Sequence, residues 1–89
     1  MVTIRDKSQL SVAQVRMARV GLGLGVRDLA ELADVSPNTV SRFERGEKLH
    51  RRTLKAIQNA LEEAGAVFVK SDDGHDGVVI SADRADTGA

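Results

Sequence analysis

Cysteine is missing throughout the chain, which excludes a disulfide framework, a thiol nucleophile and a zinc finger. No apolar run approaches membrane length and no signal-peptide core opens the chain, so a cytoplasmic protein without membrane partners is expected. Histidine occurs only at His50 and His75, with no paired spacing that suggests a metal site. Asp72, Asp73 and Asp76, with Gly74 and Gly77, lack the alternating spacing and closing Glu of an EF-hand. The Gly21-Leu22-Gly23-Leu24-Gly25 stretch lacks the Lys-Ser/Thr that follows a phosphate loop, and the strand that precedes one. With no Ser-His-Asp set and no convergent carboxylates, neither enzymatic activity nor a cofactor or metal is expected. Eighty-nine residues make one domain with a modest core, which dimerisation would help to stabilise.

What the chain does have is concentrated between Gly25 and Gly46. Val26, Leu29, Ala30 and Ala33 recur at helical spacing and predict one short helix. A second opens at Ser36, whose hydroxyl can accept from a free N–H of the first turn. Pro37 follows at the first helical position, where a missing N–H costs nothing. Val40 and Phe43 form its apolar face, and Gly46 can end it in a left-handed cap. The joint is only Asp34 and Val35, too short to lay the helices side by side, so a steep helix-turn-helix crossing is expected. The second helix then turns Asn38, Thr39, Ser41, Arg42 and Arg45 outward. These are short hydrogen-bonding groups and guanidinium forks, the side chains that suit a DNA major groove.

Residues 11–65 resemble the Xre/phage-repressor (Cro/repressor-like) helix-turn-helix family. The resemblance lies in Gln14-Val15-Arg16, Ala18-Arg19, Gly23-Leu24, Asp28-Leu29-Ala30, Val35-Ser36, Thr39-Val40-Ser41-Arg42, Glu44-Arg45-Gly46 and Thr53-Leu54. It implies a compact DNA-binding domain of bacterial or phage type, usually dimeric on a palindromic operator. It also implies an ion pair between Arg19 and Glu44, tying the first helix to the recognition helix. Two positions depart from the family. Val26 stands where Gln commonly holds a phosphate, and Asp34 where Gly commonly supplies positive φ, a conformation Asp tolerates better than most residues.

The remaining segments fit around this unit. Ser11 and Gln14 form a capping box at the start of the first helix, whose stripe is Val12, Val15, Ala18 and Leu22. A last helix is expected from Arg51 to Ala64, with Leu54, Ile57 and Leu61 inward and Gly65 as its stop. Residues 1–10 read as an N-terminal arm. Val2 and Ile4 carry a weak strand signal, a frayed end is the other reading, and Arg5 and Lys7 could reach DNA.

The period then changes. Residues 66–70 and 77–81 are β-branched runs separated by a turn-rich link, which predicts two antiparallel strands. An isolated hairpin is marginal in water. Two placements would cover it: pairing with a second subunit through Val67, Phe68, Val69, Val78, Val79 and Ile80, which the reading favours, or folding back onto its own helices. Residues 82–89 read as a disordered tail.

Net charge is zero but unevenly spread. Residues 1–70 carry 12 Lys and Arg against 8 Asp and Glu, and residues 71–89 carry Arg84 against five Asp. Arg42, Arg45, Lys48, Arg51, Arg52 and Lys55 fall close together, the electrostatic footprint of phosphate binding.

The expected fold is therefore mainly α: a repressor-like domain of four to five helices with a short C-terminal antiparallel β-element. The expected function is that of a sequence-specific, nucleoid-associated transcriptional regulator, a homodimeric repressor on double-stranded DNA with helix 37–45 in the major groove of a palindromic operator. Asn38, Thr39 and Arg42 would read bases, and Ser41, Arg45, Lys48, Arg51 and Arg52 would hold phosphates. The alternative is an antitoxin that also binds a toxin or another protein partner.

Overall fold

The computed structural model describes residues 2–3 and 10–81. The expected arm positions Arg5 and Lys7 and the tail 82–89 lie outside the described residues. Four helices, α1 (Val12–Gly21), α2 (Val26–Ala33), α3 (Pro37–Glu44) and α4 (Arg51–Ala64), precede a hairpin of β2 (Ala66–Lys70) and β3 (Asp76–Ile80). A short strand, β1 (Val2–Thr3), pairs antiparallel with the other side of β2, giving the order β1-β2-β3. The mainly α fold with a C-terminal antiparallel β-element is as expected. The second long strand begins one residue earlier than the sequence pattern indicates, because Lys70 pairs with Asp76.

Each helix boundary has a local cause. Ser11 Oγ accepts from the Gln14 N–H while Gln14 Oε1 accepts from the Ser11 N–H, so the capping box forms as expected. Gly25 has no side chain to cap α2, but Asp28 Oδ2 accepts from its N–H at 2.7 Å, placing a carboxylate at the positive end of the helix. Ser36 Oγ accepts from the Thr39 N–H at 3.1 Å, and Pro37 occupies the first turn of α3.

The core joins the helices to the hairpin. Val15, Leu29, Val40, Ile57, Leu61 and Phe68 are fully buried together. Phe68 belongs to the same apolar cluster as the helices, so the hairpin lies on its own helices. The register places Phe68 opposite Val78 and Ala66 opposite Ile80, all on the inner face, since paired residues of antiparallel strands share a side. Gly21 permits the close approach of α1 to this sheet: a Cβ there would meet Ile80 Cγ1 at 3.1 Å.

Gln14 completes the attachment. Its side chain is wholly buried, and its Nε2 donates to the carbonyls of Val69 and Gly77, both at 3.1 Å. One amide thus grips both strands of the hairpin from α1. Buried polar groups of this kind are costly unless paired, and here they are paired.

Candidate nucleic-acid interface

The joint between α2 and α3 sets the interface. Asp34 adopts φ 58° and ψ 46°, the left-handed conformation that the two-residue turn demands. It is the sole positive-φ residue other than glycine among the described residues. Val35 follows, and its N–H donates to the Ala30 carbonyl at 3.0 Å, closing the turn over the end of α2. Ala30 and Ala33 are buried beside Val40 and Phe43 in one cluster, so small side chains let α3 sit tightly on α2.

With Val40 and Phe43 turned inward, the opposite side of α3 is fixed outward. Asn38, Arg42 and Arg45 are exposed, and Thr39 and Ser41 are half-buried. The Thr39 hydroxyl is 2.8 Å from Ser36 Oγ, so it shares the N-cap and its methyl is positioned by that bond.

The far end of α3 closes in a Schellman turn. Gly46, at φ 101°, donates its N–H to the Phe43 carbonyl at 2.9 Å, and Glu47 donates its N–H to the Arg42 carbonyl at 3.0 Å. Glycine is required there because the left-handed region penalises a Cβ. Glu47 is thereby returned to Arg42, and its carboxylate meets the guanidinium: Arg42 Nε donates to Glu47 Oε1 at 3.0 Å, while Arg45 Nη2 lies 3.9 Å from Oε2. Nothing in the local sequence pattern points to a role for Glu47. Its five-residue separation from Arg42 is not a helical neighbour spacing, and the turn brings the pair together.

Orientation of α3 relative to α1 rests on a second ion pair. Arg19 Nε and Nη2 donate to Glu44 Oε2 and Oε1 at 2.7 and 3.0 Å, a bidentate fork. Arg19 Nη1 also donates to the Leu24 carbonyl at 3.1 Å, holding the α1–α2 loop. The two side chains are 17% and 11% exposed, so this pair is shielded from the screening that weakens surface pairs. The hydrogen bond to Glu44 raises the Arg19 pKa above its ordinary value, against a smaller opposing effect of burial.

The expected phosphate-binding residues continue from here. Lys48, Arg51, Arg52 and Lys55 are all exposed. His50, Arg51, Arg52, Thr53 and Lys55 line an open cleft at the start of α4. No side chain caps that helix, so its first-turn N–H groups add to a positive environment suited to an oxyanion. The residues expected at a dimer contact are divided. Phe68 and Val69 are buried, Val78 and Ile80 are partly buried against the core, and Val67 and Val79 are exposed. Val26, standing where the family resemblance implies a phosphate-holding Gln, is partly buried against the core.

Among the described residues no helix is long and apolar enough to cross a membrane. Two curated proteins with sequence similarity are large ribosomal subunit protein bL12 from two strains of Porphyromonas gingivalis. Each is 31% identical over 65 residues, an alignment covering 73% of this chain and 48% of theirs. The chain spans about half the length of the curated relatives it matches. Residues 5–67 match the family described as helix-turn-helix domain. That region contains α1 to α4 entire, with the tight joint and the outward polar face of α3 at its centre, and it suggests a DNA-binding regulator; by sequence and by structure, the chain belongs to the helix-turn-helix domain family.

Proposed function

We propose that this protein is a sequence-specific transcriptional regulator that binds double-stranded DNA as a homodimer and acts as a repressor of the Xre type. The observation that carries the reading is the outer face of α3. Asn38 and Arg42 stand exposed on a helix capped at both ends and braced by Arg19 and Glu44. Asn suits bidentate bonding to adenine, Arg to guanine, and the Thr39 methyl to the thymine methyl. Ser41, Arg45, Lys48, Arg51 and Arg52 surround these readers and supply phosphate contacts, with the uncapped start of α4 adding N–H donors. Occupying an operator excludes other proteins from it, which favours repression, and a cytoplasmic location follows from a DNA target.

The dimer reading is supported by the outer face of the sheet. Val67 on β2 and Val79 on β3 are cross-strand partners, 43% and 52% exposed, and β3 is an edge strand of the sheet. An exposed valine pair beside a sheet edge is a surface that a second copy would cover. Two copies would place their α3 helices in successive major grooves about 34 Å apart.

The test is in vitro selection of duplexes from a randomised pool by the full-length protein, followed by binding to the selected duplex and to a scrambled one at several salt concentrations. A compact palindrome, bound less tightly as salt rises, is expected. Arg42→Ala is expected to lower discrimination at one base pair about 10-fold to 100-fold while binding to the scrambled duplex persists. If the variant instead loses all binding with discrimination unchanged, Arg42 is a phosphate contact. No enriched sequence would remove the base-reading assignment.

A further inference from the structure

A carboxylate on a DNA-facing surface is repelled by phosphates, so its presence there calls for a compensating role. Glu47 is such a group. It is half exposed, at the end of the proposed reading helix, and it touches both arginines of that end. Its backbone N–H is bonded to the Arg42 carbonyl while its carboxylate accepts from Arg42 Nε, so two bonds join the same two residues. The cap thus fixes Glu47's backbone beside Arg42, which keeps its carboxylate within reach of the guanidinium. The guanidinium it holds loses one of its five N–H groups to the pair, and the four on Nη1 and Nη2 remain at the outer end.

That division of donors decides what Arg42 can do. A guanidinium reads guanine with two parallel N–H bonds, to O6 and N7. A free arginine can approach with its Nε edge or with its terminal edge, and its long side chain can instead swing to a phosphate. With Nε occupied by Glu47, the terminal edge alone is left for a base, and the swing to a phosphate is opposed. Arg45, at 3.9 Å from the other carboxylate oxygen, is partly neutralised as a phosphate ligand.

We infer that Glu47 is a specificity-determining positioning residue: it holds the Arg42 guanidinium in a base-reading orientation and lowers sequence-independent phosphate affinity. The inference rests on the DNA-reading role proposed for α3. It makes affinity and discrimination move in opposite directions when the carboxylate is neutralised.

The experiment compares full-length wild type, Glu47→Gln, Arg42→Ala and the double variant on the selected duplex, on a scrambled duplex, and on duplexes carrying each base at the pair that Arg42 reads. Circular dichroism melts check that all four fold alike. Glu47→Gln is expected to bind the scrambled duplex about threefold to tenfold more tightly, as loss of one repulsive charge allows. The slope of log K against log salt should steepen by up to about 0.9 as Arg45 is released to a phosphate. Discrimination at the Arg42 base pair should fall about threefold to tenfold, a share of what one bidentate contact supplies. In the Arg42→Ala background, the same change should leave discrimination unaltered. A purely structural role would move the melting temperature and leave the base-specific ratio alone. If Glu47→Gln tightens binding equally on every duplex, Glu47 is only a repulsive charge and the positioning role is overturned, while the DNA-binding reading stands. If the wild type itself prefers no sequence, both fall.

Discussion

Helix α1 is held on two sides by bonds of different kinds. Toward α3 it offers Arg19, which forms a charged bidentate pair with Glu44. Toward the hairpin it offers Gln14, a neutral amide donating to two strand carbonyls. The charged side positions the proposed DNA-reading helix, and the neutral side attaches the β-element. The difference lies in what each attachment must tolerate. The first lies near a surface where charges of both signs are present and some solvent reaches it. The second is wholly buried, where an unpaired charge would be far more costly than a neutral amide.

Breaking the charged side should have the larger effect. Glu44→Ala leaves Arg19 shielded and without its fork, and should cost about 3 kcal/mol, which for a domain of this size lowers the melting temperature by on the order of 15 °C. Thermal unfolding of the full-length chain checks this, and an unchanged melting point would show that the pair adds nothing. The pH dependence has a defined sign. Because Arg19 is raised above its ordinary pKa in the folded state, its contribution is fully present below the unfolded value and is lost only as pH rises through the folded value. Across the neutral range, the stability that comes from Arg19 protonation should therefore be flat.

On the neutral side, Gln14→Leu keeps the volume but removes the donor to Val69 and Gly77 and half of the capping box. A loss of about 2 kcal/mol is expected. Hydrogen exchange sharpens the comparison, since amides of the hairpin should lose more protection than those of α3. Equal loss everywhere would mean that Gln14 supports the whole core and not one attachment. The smallest effect on folding should come from the outer face of the sheet. Val67→Ser with Val79→Ser should shift monomer stability by less than about 0.5 kcal/mol per site, yet weaken self-association in sedimentation. Unaltered association would move the dimer contact elsewhere.

Legibility in the sequence follows the same division. The starts of α1 and α3 and the ends of α3 and α4 are written in local spacing, because Ser11, Ser36, Pro37, Gly46 and Gly65 act within one turn of where they stand. The left-handed joint at Asp34 is legible only through the family resemblance, which implies a positive-φ position there. The Arg19–Glu44 pair was visible only through the family resemblance, as 25 residues separate the partners. Local spacing shows Gln14 only as part of the capping box. Its second role needs carbonyls 55 and 63 residues away, and nothing in local spacing points to them. β1 was an open alternative, since two residues carry too little pattern to settle a pairing with Val69 and Lys70.

By itself, then, the sequence determined where α1 and α3 begin, where α3 and α4 end and which face of α3 is polar, because those outcomes depend on hydrogen bonds and apolar spacing within a few residues. Only the tertiary structure decided that the hairpin packs on its own helices through Phe68 and Gln14, and that Glu47 meets Arg42 across the helix cap. Those contacts depend on where folded segments bring atoms together in space.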